Sequence, residues 1–445
     1  MNLKNSLVLL LLIVFSSLLI FYQFTSIPKY LTFDEVEFTK LALSLDGKPY
    51  TPYSPLATGH STLYFYILLL SLKIFGISTF ALRLPAAIFG VASVAMFYLI
   101  MKIVFKQYLP LLLTVVFLTS RWFINFSRFA FEPTFLLFLE LTSIYFLLRS
   151  SVILNEVKDL SQMRDNSNKL RDSSASPQND SFFLILSGFF SGLAFNSYTP
   201  GRIFFLLPLF FLTLKTLRTL KLYKLAYFII PFLITIAPLI TYLSTNKESR
   251  VDQQFFLRNS EMTVDEKLGG LWHNVSSNTL MFFVKGDLNG RHNYPGKPAL
   301  NPILGVLFLV GFFIAIKRWR NDYNRLFIFY FLLSFFPTLM TYPWENPNML
   351  RTFTAIPSVV YFIGQGFSVI ARSEATKQSL KFLRLPRSLW SLAMTIAIVF
   401  PILVSSVYEL RTYFKYQAKV LETSFEIEHP LEKAVKMENP YEEIK

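Results

Sequence analysis

From Leu7 to Phe24 the chain carries no charged residue, and comparable apolar runs recur along most of its length. A run of this kind crosses a hydrocarbon core of roughly 30 Å as a helix. In lipid the backbone must satisfy its own hydrogen bonds, so helices are what such runs dictate. Candidate spans fall near 7–24, 83–104, 109–126, 133–149, 182–198, 203–219, 225–243, 301–316, 325–341, 352–370 and 389–408. The expected fold is all-α, a polytopic membrane protein with about eleven transmembrane helices. Composition agrees: of 445 residues 53% are hydrophobic, 17% aromatic and only 16% charged, too few charges to coat a soluble core of that size. The first run is followed by Gln23-Phe24-Thr25-Ser26 without a small-residue cleavage site, and so reads as a retained span.

The net charge of +15 raises a nucleic-acid partner, but Lys and Arg sit in short clusters between apolar runs and not in one patch or tail. That distribution is an orientation signal. Connections rich in Lys and Arg, such as 102–106, 215–224, 317–325 and 372–387, alternate with connections holding single arginines, Arg128, Arg202 and Arg351. The rich set is expected in the cytoplasm. The short apolar stretch 63–75 crosses if the N-terminus is outside and lies in the interface if it is inside, and flanking charge leaves both open. The chain has no cysteine, which excludes disulfides, thiolate metal sites and a cysteine nucleophile.

Residues 151–180 and 371–388 are polar or basic and lack apolar periodicity. Both read as cytoplasmic insertions resembling translated copies of a dispersed repeat, with a regulatory loop as the alternative. Residues 244–300, rich in Asn, Gly and aromatics, form a large outer loop long enough to fold over a site. The segment 389–409 is the expected last span, and 410–445 a short polar tail outside the membrane.

Four stretches carry candidate chemistry. Leu31-Thr32-Phe33-Asp34-Glu35 puts adjacent carboxylates just after the first span. Such a pair can act as a general base or anchor a metal, or Asp34 can simply cap a helix. In Ser127-Arg128-Phe129-Ala130-Phe131-Glu132-Pro133 the arginine and glutamate stand four apart and can pair on a helical turn. Asn196-Ser197-Tyr198-Thr199-Pro200-Gly201-Arg202 is an outer turn, and Trp344 to Arg351 another. Three lone arginines on one membrane face suggest an anion such as a lipid phosphate; headgroup contact is the plainer reading of each.

The succession His60-Ser61-Thr62-Leu63-Tyr64, Phe80-Ala81-Leu82-Arg83-Leu84-Pro85, Ser127 to Pro133, Tyr198 to Arg202 and Arg351-Thr352-Phe353 after an outer acidic pair resembles the GT-C membrane glycosyltransferases. Within that superfamily it is similar to the dolichyl-phosphate-mannose–protein mannosyltransferases and aminoarabinose transferases, over residues 1–370 apart from the insertion. The resemblance implies a cytoplasmic N-terminus, interfacial helices in the first outer loop, and a site on the extracytoplasmic face of the cell membrane. It implies inverting transfer of a sugar from a polyprenyl-phosphate donor to a lipid, glycan or protein acceptor. It makes Asp34 the catalytic carboxylate, with Glu35 its neighbour and Glu132 the acidic position of the second outer loop. His60, Arg128, Tyr198, Arg202 and Arg351 are expected around the donor phosphate. No cofactor signature is present; a divalent metal on Asp34 and Glu132 is the candidate. A transporter or flippase for a lipid-linked sugar is the rival reading, with Glu140 in mid-span its best support, and a non-catalytic scaffold the third.

Overall fold

The computed structural model describes residues 3–150, 177–219, 222–246, 248–377 and 387–438, which are mostly helical. Most of the polar segment 151–180 and the middle of the basic segment 371–388 lie outside the described residues. Helix α1 (Leu3–Phe21) leads into a long loop that forms α2 (Phe33–Ser44), the antiparallel pair β1 (Tyr53–Ser54) and β2 (His60–Ser61), and α3 (Leu63–Phe75). Next come α4 (Thr79–Val104), α5 (Leu109–Thr119), α6 (Arg121–Phe126), α7 (Pro133–Arg149), α8 (Pro177–Phe195), α9 (Leu206–Thr219) and α10 (Tyr223–Thr245). A second long loop holds α11 (Ser249–Gln254) and α12 (Val264–Leu280). It is followed by α13 (Pro302–Lys317), α14 (Asp322–Leu339), α15 (Ile356–Lys377) and α16 (Arg387–Arg411). A π-helical turn at Thr412–Gln417 joins α16 to α17 (Ala418–Ser424), and α18 (Leu431–Lys436) comes last.

Among the described residues three helices are long and apolar enough to cross a membrane unaided: Thr79–Val104, Thr199–Leu217 and Tyr223–Thr245. α13 and α14 form a further apolar pair bent by 119°. Leu7, Leu10, Leu11 and Leu18 of α1 face outward, as do Ile230, Leu233 and Ile234 of α10 and Phe400, Leu403 and Val407 of α16. Apolar surface on this scale is unfavourable against water and at home in lipid. α3 has 13 residues and is therefore about 20 Å long, shorter than the hydrocarbon core. It buries Tyr64, Phe65, Leu68 and Leu72 in the protein.

The expected span 109–126 is not one helix. Ser120 leaves helical geometry with ψ of 124°, and the break turns α6 so that Arg121 meets Glu409 at 2.6 Å and the Trp122 indole donates to the Met349 carbonyl at 2.7 Å. α13 and α15 approach closely because Gly311 and Gly366 face the backbone carbonyls of Phe362 and Leu307, where a Cβ has no room. The C-terminal segment returns to the first loop. Leu31 and Ile427 exchange backbone hydrogen bonds of 3.0 Å each way, the Lys40 ammonium donates to the Met437 carbonyl at 3.2 Å, and α18 buries Leu431 and Ala434.

Candidate active site

The start of α2 settles which of its polar residues is the cap. Thr32 Oγ1 accepts from the Glu35 amide at 3.1 Å, and Glu35 Oε2 accepts from the Thr32 amide at 3.2 Å. This capping box satisfies two orphan donors, so the cap is Thr32 and not Asp34. Asp34 sits in the first turn, its side chain 42% exposed, with one oxygen 2.9 Å from Arg291 Nη1. Glu35 turns the other way. It is fully buried and grips Arg83 with both oxygens, at 2.8 and 2.9 Å. The remaining Arg83 donors go to the carbonyls of Pro28 and Tyr30, at 2.6 and 2.7 Å. Glu35 therefore ties α2 to α4 and has no access to a substrate, contrary to its expected place beside Asp34 in the chemistry.

His60 is presented by a turn in which Ala57, Thr58 and Gly59 have φ of 52°, 69° and 96°. Left-handed geometry at a β-branched residue is costly and persists only where surrounding structure enforces it. Here the enforcing contacts converge on the imidazole. Nδ1 lies 2.5 Å from Glu132 Oε1, and Nε2 lies 2.9 Å from the Ala57 carbonyl and 2.6 Å from Arg250 Nη1. Burial pushes the Glu132 carboxyl up, but His60 and Arg250 together hold it below the usual carboxylate range. Glu132 is thus an orienting anion behind His60. It does not line the cavity, nor does it pair with Arg128 as the four-residue spacing predicts.

Arg128 is fully buried elsewhere. Its guanidinium donates to the carbonyls of Ile20 at 2.7 Å, Tyr22 at 2.6 Å, Gln23 at 2.8 Å and Ile27 at 3.0 Å. These carbonyls lie at the end of α1 and in the turn beyond it, so Arg128 ties that turn down from a distant segment and is not available to a phosphate. Arg202 pairs with Glu248 and Arg351 with Glu345, so neither is the lone cation that sequence suggested.

One cavity of about 690 Å³ gathers what remains. Asp34 and Glu37 of α2, His60, Tyr198, Arg250 of α11, Arg291 and Arg351 all line it, together with Asn289, Trp344 and Asn348. Asp34, His60, Tyr198 and Arg351 come together as expected; Glu35, Glu132 and Arg128 stay behind the wall. Arg202 lines a smaller chamber of about 180 Å³ next door. That chamber is walled by Pro200, Ile203, Val251, Phe255 and Phe336, and it shares Tyr198, Arg250 and Arg351 with the main cavity.

Arg250 and Arg291 are the functional candidates that sequence reasoning passed over. Arg250 holds His60 and the Gly59 carbonyl, its guanidinium lies 5.9 Å from the Tyr198 ring centre, and its Nε has no partner. Among the described residues no carboxylate pairs with it. Both arginines sit in the loop read as a cover, and the cluster Asn289-Gly290-Arg291-His292-Asn293 was the available signal. Within the same loop Asp287 binds His292 at 2.9 Å and accepts from the Met349 amide at 2.8 Å, fixing it against the turn that carries Arg351. No group of three or more His, Asp or Glu side chains among the described residues is gathered to hold a metal. With Glu132 behind the wall, the expected Asp34–Glu132 metal pair does not fit.

Residues 59–161 match the family model for dolichyl-phosphate-mannose-protein mannosyltransferase, a stretch that includes His60, Arg83 and Glu132 but begins after Asp34. ArnT from Cupriavidus metallidurans bound to undecaprenyl phosphate superposes with a TM-score of 0.55 at 14% identity, covering 94% of this chain and 77% of its own. This chain has the fold of the GT-C membrane glycosyltransferases. The apo form of the same ArnT superposes with a TM-score of 0.56 at 13% identity and the same coverage. The GT-C fold bears out the helical membrane architecture expected from the apolar runs. No curated protein sequence matches this chain.

Proposed function

We propose that this protein is a membrane glycosyltransferase that moves a sugar from a polyprenyl-phosphate carrier to an extracytoplasmic acceptor, with Asp34 as the base. The observation that carries the reading is one cavity lined both by an accessible carboxylate, Asp34, and by Arg250 and Arg351, which also border an apolar side chamber. A polyprenyl phosphate has that same polarity, an anionic head followed at once by hydrocarbon. The similarity in fold to an ArnT that binds undecaprenyl phosphate supports the same ligand class here.

In this reading the acceptor hydroxyl gives its proton to an Asp34 oxygen while its own oxygen bonds to the anomeric carbon. The bond from that carbon to the phosphate oxygen breaks on the opposite side, which inverts the centre, and the carrier leaves as the phosphate anion. Negative charge grows at the departing phosphate, and fixed guanidinium groups stabilise that charge most when they need no reorganisation. Arg250 is held by His60, itself held by Glu132, which fixes its place in advance. Arg291 holds one Asp34 oxygen at 2.9 Å in the cavity wall.

The test is transfer from a radiolabelled polyprenyl-phosphate sugar in membranes that contain the wild-type chain or Arg250→Ala. Wild type should transfer label. Arg250→Ala should raise the donor KM by roughly one to two orders of magnitude, in line with the ~1.5–3 kcal/mol of a charged hydrogen bond. Arg250→Lys should recover only part, because Lys offers a point charge in place of a planar fork. Arg128→Lys should instead lower the yield of folded protein and leave the donor KM of the surviving enzyme near wild type. Movement of the intact lipid-linked sugar across the membrane without transfer would sink the reading in favour of a transporter.

A further inference from the structure

A second cavity, of about 330 Å³, lies on the other side of Arg291. It is lined by Phe33, Asn289 and Arg291, which also line the main cavity, and by Thr423, Ser424 and Glu426 from α17 and the strand-like segment after it. The last three come from the end of the chain, and the structure shows what brings them there. The backbone bridge between Leu31 and Ile427 anchors the segment three residues before Asp34. Phe425 is buried against Phe129, with ring centres 5.1 Å apart, and lies 5.6 Å from the Arg83 guanidinium. Gly290 allows the last approach: a Cβ there would collide with Ser424 Oγ. Arg291, with Phe33 and Asn289, is thus the partition between the two cavities, and its ion-pair partner Asp34 faces the main one.

We infer that this second cavity is the acceptor subsite and that it takes an uncharged, hydroxyl-rich head, a carbohydrate; the inference rests on the transferase reading above. Its volume falls within the roughly 300–1,000 Å³ of small-molecule sites. Its lining is a sugar's complement: hydroxyls from Thr423 and Ser424 and an amide from Asn289. Arg291 is already paired with Asp34, and Glu426 leaves the lining net negative, which disfavours a phosphate or carboxylate. Position gives the role. A hydroxyl reaching past Arg291 comes to its ion-pair partner Asp34, the carboxylate used in the transfer step.

The absence of cysteine makes the site directly testable in the full-length protein. Thr423→Cys and Glu426→Cys each introduce a single exposed thiol, and Thr279→Cys on α12 is the control. Methyl glycosides of neutral hexoses and N-acetylhexosamines, with glucose 6-phosphate as the anionic comparison, are the probes for protection against maleimide. At about twice its Kd a neutral glycoside should slow labelling of the two tail thiols by about threefold and leave Thr279→Cys unchanged. In the transfer assay Thr423→Val and Glu426→Gln should raise the acceptor concentration needed for half-maximal rate by about tenfold, the loss of one to two hydrogen bonds. Binding of undecaprenyl phosphate should not change. Equal labelling with every glycoside, stronger protection by glucose 6-phosphate, or weakened undecaprenyl phosphate binding in these variants would each overturn the inference. A wild-type chain that neither transfers sugar nor binds undecaprenyl phosphate would instead remove the transferase reading, whatever the labelling shows.

Discussion

Asp34→Asn should leave the protein inserted and folded and lower the transfer rate by roughly 10²–10⁴-fold, the usual cost of losing a general base. The sequence alone gave this substitution two readings, because Asp34 precedes a helix and Asn caps as well as Asp does. The capping box removes that ambiguity: Thr32 is the cap and Glu35 its partner. What Asp34→Asn loses structurally is the ion pair with Arg291, part exposed on both sides at 34% and 42%. Such a pair contributes at most about 1 kcal/mol. A carboxylate in the first helical turn adds about 0.3–1 kcal/mol through the helix dipole. Neither term approaches the ~2.7–5.5 kcal/mol that a 10²–10⁴-fold rate loss represents. The checks are transfer rate at matched protein level and thermal melting in detergent for Asp34→Asn and Asp34→Ala. The Ala variant should now resemble Asn in both, whereas Thr32→Ala should lower stability by about 1 kcal/mol and spare most of the rate. Full activity in Asp34→Asn would take Asp34 out of the mechanism, and with it the proton step proposed above.

The helices were legible because lipid imposes one solution on a long uncharged run, and the run from Thr79 to Val104 is as plain in sequence as in structure. Asp34 and His60 were legible because each sits in a short polar interruption of an apolar context. The roles of Glu35, Arg128 and Glu132 were not, since each is decided by a partner far along the chain: Arg83 across 48 residues, the end of α1 across about 105, and His60 across 72. Spacing rules describe neighbours on one helix. The pair Arg128 and Glu132 satisfies such a rule and is nevertheless split, because the segment 127–132 is a turn whose two charged side chains leave in different directions. Arg250 and Arg291 were hidden for a related reason. In a loop of mixed polarity a cation gains meaning only when folding sets it opposite Asp34 or beside an apolar chamber. Glu140 found a partner, accepting from the Tyr330 hydroxyl at 2.7 Å, which accounts for its burial without a transport pathway.

The second large effect should fall on folding and leave the chemistry intact. Glu35→Ala strands the Arg83 guanidinium in a site where both side chains have 0% exposure. Breaking a buried pair by removing one partner typically costs about 3–5 kcal/mol, because the other charge stays behind unpaired. The same substitution removes half of the Thr32 capping box and loosens the start of α2. If Glu35 were catalytic, Glu35→Gln would keep the fold and lose the rate. If it is the strut described here, Glu35→Gln should keep one hydrogen bond to Arg83 through its amide oxygen, set its NH2 against the other donor, lose part of the stability, and retain near-normal transfer per folded molecule. The double variant Glu35→Gln with Arg83→Met separates the two by removing the stranded charge. It should recover stability relative to Glu35→Ala, since an apolar side chain in place of a buried ion is often neutral or favourable, although the carbonyls of Pro28 and Tyr30 then lose their donor. The measurement is the melting temperature together with activity normalised to the folded fraction. A stable but inactive Glu35→Gln would return Glu35 to the chemistry. A stable, active one would leave Asp34 as the only carboxylate of the first loop's acidic pair with a part in transfer.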